Sequence, residues 1–211
     1  MEYVKSVLIV HVIAGALSLL TGLLVYLLKK GTSLHIRIGK IYYLAMSVVF
    51  ITSIYVSLMK NNAFLFLIGI FSYYLVYTGI LYNRNRSVGK TGPMDFIRIL
   101  FFAIIFVSMI LFGLYCLISG ASGLGIILLV FGGIGGMLAK TDIYVYLLKK
   151  EVDKPNFWIR SHLGRMTGSY IAAVTAFAVN NIHFLPPIVI WLLPTAIGFF
   201  LIYFYDRKYS G

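Results

Sequence analysis

The chain is short of what a soluble protein uses to meet water. Only 11% of its 211 residues are Asp, Glu, Lys or Arg, where soluble domains carry about a quarter. Acidic residues are scarcest, at 6. Cysteine occurs once, as Cys116 inside an apolar run. That excludes an intramolecular disulfide and any CxxC metal or redox motif, and Cys116 reads as a small hydrophobe. HxxxH, HExxH and GxSxG are also absent, so neither a conventional zinc site nor a serine-hydrolase elbow is legible.

What is present is apolar. Hydrophobic residues make up 61% of the chain and mean hydropathy is +0.95. A soluble domain of this size cannot hide that much apolar surface, so part of its solvent is lipid. A spanning helix needs about 20 mainly apolar residues. Seven stretches qualify, at about 4–28, 38–59, 63–82, 96–118, 124–148, 161–182 and 187–205. They do not alternate, and they are too long for barrel strands of about 10 residues. The expectation is an all-α polytopic bundle of seven helices forming one integral membrane domain, 1–211. The first run reads as a retained span: its apolar core outlasts a signal-peptide h-region, and Glu2 offsets Lys5 before it.

The 18 basic residues against 6 acidic ones give a net charge of +12. In a soluble protein this points to nucleic acid. Here sixteen of them flank the connections after spans one, three and five or end the chain, Lys90 among them, and only Lys5 and Lys60 lie on the other side. The positive-inside rule then puts the N-terminus outside and the C-terminus in the cytoplasm. The charge reports orientation, with membrane lipids as the partners it implies and no nucleic acid.

Few polar groups remain at membrane depth. His11 lies two turns into span one, on a face shared with Ala14, Gly15, Ser18 and Gly22, a small-residue stripe suited to close packing. It should point into the bundle, where an ionisable residue is a functional candidate. Span six carries His162, Arg165, Ser169 and Asn180 at helical spacing, and its outer half offers Thr175, Asn180 and Asn181 as partners for His11. His162 and Arg165 at its inner end also fit side chains that snorkel to the interface. Span five holds Gly132-Gly-Ile-Gly-Gly136, a close-contact spacing with no GK[ST] after it. Asp142 follows, the one carboxylate placed at membrane depth, and needs a cation or a cavity. Lys140, Arg165 and His162 are the cations within reach. His35 opens span two at a depth similar to His162, so the two can share a ligand, and His35, His162 and Asp142 form a candidate metal set.

The run His11-x-x-x-Gly15-Ala-x-Ser-Leu-x-x-Gly22, then Lys30-Gly-x-x-x-His35-x-x-x-Gly39-Lys-x-Tyr42, resembles an uncharacterised bacterial membrane family, domain of unknown function 2306. The second half agrees through Asp142, His162-x-x-Arg-Met166, Ser169-Tyr-Ile-Ala-Ala173, Thr175-Ala-Phe177 and Leu193-Pro-Thr195. The resemblance implies a bacterial inner-membrane protein and supplies no reaction. Some relatives carry Trp before the Met of the sixth-span motif, where this chain has Arg165.

Three functions fit these residues. The first is binding or transport of a small ligand or ion through a polar cavity among spans one, five and six, with His11, Asp142 and His162 lining it or titrating. The second is a redox or metal protein using His35 and His162, and His11 in some arrangements, as ligands of haem or a divalent metal. The third acts through partners or lipids without a small-molecule site.

Overall fold

The computed structural model describes residues 2–86 and 92–208. Lys90, one of the basic residues used for orientation, lies outside them. Among the described residues the chain is seven long helices with no strand. They are α1 (Glu2–Leu27), α2 (Ser33–Met59), α3 (Ala63–Arg84), α4 (Pro93–Ile118), α5 (Ser122–Asp142), α6 (Phe157–Asn181) and α7 (Pro187–Lys208). These agree with the apolar runs to within a turn or so at each end. A π-helical turn, Ile143–Leu147, extends α5.

Six of the helices are long and apolar enough to cross a membrane. The exception is α6, which the sequence reading counted as the sixth span. It is long enough at 25 residues, but Arg160, His162, Arg165, Thr167 and Ser169 make its first half polar. Neighbours rather than composition accommodate it, since it packs along α3 and α7 and touches α1. With α3 it forms the centre of the bundle, and α3 itself carries a long buried face from Ile68 to Tyr82.

Hairpins build the periphery. α1 packs on α2, and α4 packs on α5. The latter contact uses the glycines of α5. A Cβ at Gly132 would sit 3.1 Å from the Met109 Cβ of α4, and one at Gly135 would strike the Phe106 ring. These two glycines of the run therefore mark a close helix contact, while Gly136 has only the Ile110 Cδ1 at 4.0 Å. The small-residue face of α1 also points inward, with Ala14, Ser18 and Thr21 buried. The aromatic core between α3, α4 and α5 is tightly interlocked: Phe71, Phe106, Phe131 and Tyr74 meet edge to face.

One end of the bundle collects the ends of the odd-numbered helices and the starts of the even-numbered ones. Tyr77 and Arg84 of α3 bond Asp95 of α4, and Arg160 of α6 bonds Asp206 of α7. This is the basic end.

Candidate functional site

Two polar clusters stand on α6, one turn apart. The first is centred on Arg165. Asp142 closes α5 and is completely buried, while the Arg165 side chain is 4% exposed. The two carboxylate oxygens take the guanidinium end-on, Oδ1 from Nη2 at 2.6 Å and Oδ2 from Nη1 at 3.0 Å. Helix α3 supplies three side-chain partners at i, i+4 and i+8, Tyr74, Thr78 and Tyr82. Tyr82 donates to Asp142 Oδ1 at 2.8 Å, and Tyr74 donates to Oδ2. Arg165 Nη1 also donates to Thr78 Oγ1 at 2.8 Å and to the Tyr74 hydroxyl at 2.9 Å, and Nη2 donates to the Leu138 carbonyl at 3.2 Å. Both tyrosine rings face the guanidinium, at 5.3 and 5.1 Å from its carbon.

A bidentate, hydrogen-bonded pair of this kind is the form in which opposite charges tolerate removal from water. Of the cations within reach of Asp142, the structure selects Arg165. Lys140 is exposed, and His162 bonds elsewhere. Arg165 therefore does not snorkel; it is turned inward because Asp142, Tyr74 and Thr78 satisfy it there. The cluster ties α3, α5 and α6 together and leaves both carboxylate oxygens engaged.

The second cluster lines a pocket of about 230 Å³ at the basic end, between α1, α2, α3 and α6. Its position corrects the expectation of a cavity among spans one, five and six. α1 and α5 do not pack on each other, and neither His11 nor Asp142 lines it. His35 and His162, expected at similar depth, do line it together, with Lys30, Lys40, Tyr26, Tyr43, Asn83 and Tyr170. His162 is oriented by α3, its Nδ1 donating to the Gly79 carbonyl at 2.7 Å. A carbonyl only accepts, so this bond fixes the proton on Nδ1. Gly79 is glycine because a Cβ there would meet Met166 Sδ at 2.8 Å. His35 Nδ1 is buried and makes no hydrogen bond of normal geometry; the ring's near backbone acceptor, the Val25 carbonyl, already takes Lys30. Lys30 caps α1, donating to the Val25 and Tyr26 carbonyls at 2.7 and 3.0 Å. It lies over the Tyr26 ring, and burial holds its ammonium below the usual lysine range.

The deep end of the pocket is shut. Tyr42 of α2 and Ser169 of α6 share a buried hydrogen bond of 2.7 Å. Beyond it Tyr42 packs with Met46 and Val76 in one buried cluster, and Ser18 and Ala45 are buried as well. Ser169 is thus a seal between α2 and α6.

The other expected residues disperse. His11 Nδ1 meets Thr52 Oγ1 of α2 at 2.8 Å, not the polar residues of α6. Asn180 is exposed and donates to its own helix at Ala176. Among the described residues no three His, Cys, Asp or Glu side chains converge. The His35–His162–Asp142 metal set fails because the Asp142 carboxylate is already held by Arg165, Tyr74 and Tyr82. Two imidazoles remain as the only donors of that set in the pocket.

Sequence reading overlooked Tyr74, Thr78 and Tyr82, whose spacing on one helical face was the available signal. It also overlooked Asp95, buried in the first turn of α4. Tyr77 donates to Asp95 at 2.6 Å and Arg84 pairs with it at 3.1 Å. Asp142 is therefore not the one carboxylate buried in the bundle. The chain matches no family model, no curated protein and no solved structure.

Proposed function

We propose that this multi-pass membrane protein binds a small ligand in the α1–α2–α3–α6 pocket, entering from the basic end. One observation carries the reading. The pocket holds a buried imidazole nitrogen, His35 Nδ1, that the protein leaves without a partner. A buried polar atom without a hydrogen bond costs about 1–3 kcal/mol, and a bound ligand is the partner that would repay it. His162, Lys30, Lys40 and Asn83 stand around the same space as further ligand contacts. The positive-inside rule supports a cytoplasmic position for this end, with the N-terminus outside. Kinship with the bacterial family named above, and with it an inner-membrane home, belongs to the same proposal and rests on motif resemblance. Passage across the membrane would require the Tyr42–Ser169 seal to part.

Gly39 gives the test, because it lines the pocket and a Cβ there meets nothing within 4 Å. The native Cys116 is buried, so Gly39→Cys adds one accessible thiol. A membrane-impermeant maleimide should label it from the cytoplasmic face only. Gly39→Phe should fill the pocket with the fold intact, so compounds that raise the melting temperature of the wild type should not raise that of the variant. A thiol that resists the maleimide from both faces, with every compound acting equally on wild type and Gly39→Phe, would remove the proposal.

A further inference from the structure

We propose that the ligand is an anionic amphiphile, a single phosphate or carboxylate head on a hydrocarbon body. This deepens the binding reading above and rests on it. The charge argument comes first. Lys30, Lys40, His35 and His162 face the pocket and no carboxylate lines it. Arg86 lies close enough to His162 to act on it electrostatically, as do Lys30 and His35. Asp95 is paired with Arg84 and Arg98, Asp142 with Arg165 and Asp206 with Arg160, while Glu151 and Asp153, on the connection before α6, do not line the pocket. Among the described residues no carboxylate pairs with Lys30 or Lys40. The bundle neutralises its other buried charges and leaves positive potential at this mouth, which a cationic ligand would find repulsive and an anion attractive.

The walls supply the second half. Val25, Ile36, Ile80, Leu163 and Met166 form the sides, and they offer nothing to the outer oxygens of a fully hydrated inorganic anion. They fit hydrocarbon. From His35 to Tyr42 the pocket runs seven residues along α2, about 10 Å at 1.5 Å per residue. A volume of about 230 Å³ admits a headgroup and a few carbons. A longer tail would have to leave toward lipid. The head would sit among Lys30, Lys40 and His35 and give Nδ1 of His35 its missing acceptor.

The head can belong to a membrane lipid or to a soluble organic anion, and the experiment separates them. The full-length protein in phosphatidylcholine nanodiscs is titrated with hexyl phosphate, hexanol, hexylamine and inorganic phosphate, each on wild type, Gly39→Phe, Lys40→Gln and His35→Gln. Hexyl phosphate should bind at least tenfold more tightly than hexanol or inorganic phosphate, and hexylamine should not bind. Each of the two charge or donor variants should weaken hexyl phosphate roughly three- to tenfold, the range expected for one lost charge-assisted hydrogen bond. Gly39→Phe should abolish it. Equal affinity for hexyl phosphate and hexanol, both abolished by Gly39→Phe, would overturn the anionic head and leave the pocket standing. Binding of any probe unaffected by Gly39→Phe would overturn both readings. Adding phosphatidic acid to the discs weakens hexyl phosphate if a lipid headgroup is the occupant, and leaves it unchanged if the occupant is soluble; either result requires that the anion site exist.

Discussion

Arg165 and His162 lie three residues apart on α6, and the structure treats them in opposite ways. Arg165 turns inward to Asp142, Tyr74, Tyr82 and Thr78, and its charge is cancelled within hydrogen-bond distance. His162 turns to a pocket that no carboxylate lines and whose neighbour His35 keeps a nitrogen unpartnered. Both clusters put polar atoms where lipid-soluble proteins seldom keep them. Only the second leaves anything for a ligand to do. Depth in the membrane therefore does not separate a working residue from a structural one; the completeness of its partners does.

The largest effect should come from breaking the closed cluster. Asp142→Ala leaves a buried guanidinium without its counter-charge, and losing one member of a buried pair costs about 3–5 kcal/mol. The expected result is a large fall in thermal stability and in monodisperse yield in mild detergent. Replacing both charges, Asp142→Leu with Arg165→Met, should recover part of that loss, because no charge is then stranded. Full recovery is not expected, since the Tyr74 and Tyr82 hydroxyls lose their acceptor. A single Asp142→Ala variant as stable as the wild type would collapse the contrast between the two clusters.

The seal should respond more mildly. Tyr42→Phe removes one buried hydrogen bond to Ser169, whose hydroxyl still donates to the Met166 carbonyl. A cost of about 1 kcal/mol is expected, read as a small drop in melting temperature. If the pocket communicates with the opposite face through this point, solvent labelling of a cysteine placed at Ser18 should rise in Tyr42→Phe. Unchanged labelling would show that the packed residues beyond the seal hold it shut alone.

The open cluster should show the opposite sign. His35→Leu deletes an unpartnered polar atom, so stability should stay level or rise by about 1 kcal/mol, while affinity for pocket ligands falls. Stability bought at the expense of binding is the expected signature of a functional site. A marked loss of stability would mean that His35 serves the fold.

The two clusters were unequally legible in the sequence. Helix positions followed from hydropathy, because lipid imposes length and composition on every spanning segment. The stripe of small residues on α1 and the glycines of α5 announced close packing, and both pack. Asp142 announced a need for a cation, and Arg165 was among the candidates. Which helices meet was not legible. In lipid, apolar faces are interchangeable, and pairing depends on side-chain fit that hydropathy does not encode. The expectation that α1, α5 and α6 enclose a cavity failed for this reason, as did the pairing of His11 with α6 in place of Thr52. Tyr74, Thr78 and Tyr82 were hidden because tyrosine in an aromatic-rich helix reads equally as packing or as interface belt. Asp95 was hidden by position: at the start of α4 it looked like a loop charge, and only the return of Arg84 and Tyr77 shows it buried.

The smallest effect isolates burial itself. Arg160 and Asp206 form a second two-bond pair between α6 and α7, side-on through Nε to Oδ1 at 2.6 Å and Nη2 to Oδ2, where Arg165 uses its two Nη atoms. The chemistry is the same, but the side chains are 18% and 44% exposed, against 4% and 0% for the inner pair. Water screens the outer pair and solvates either partner left behind, so Asp206→Asn should cost no more than about 1 kcal/mol. Salt discriminates further. At high ionic strength the Debye length shrinks to about 3 Å, so the outer pair's contribution should vanish in 1 M salt while the penalty of Asp142→Ala persists. Melting curves of both variants at low and high salt supply the measurement. Equal salt sensitivity would mean that the inner pair is reached by solvent, and α6 would then carry two open clusters instead of one.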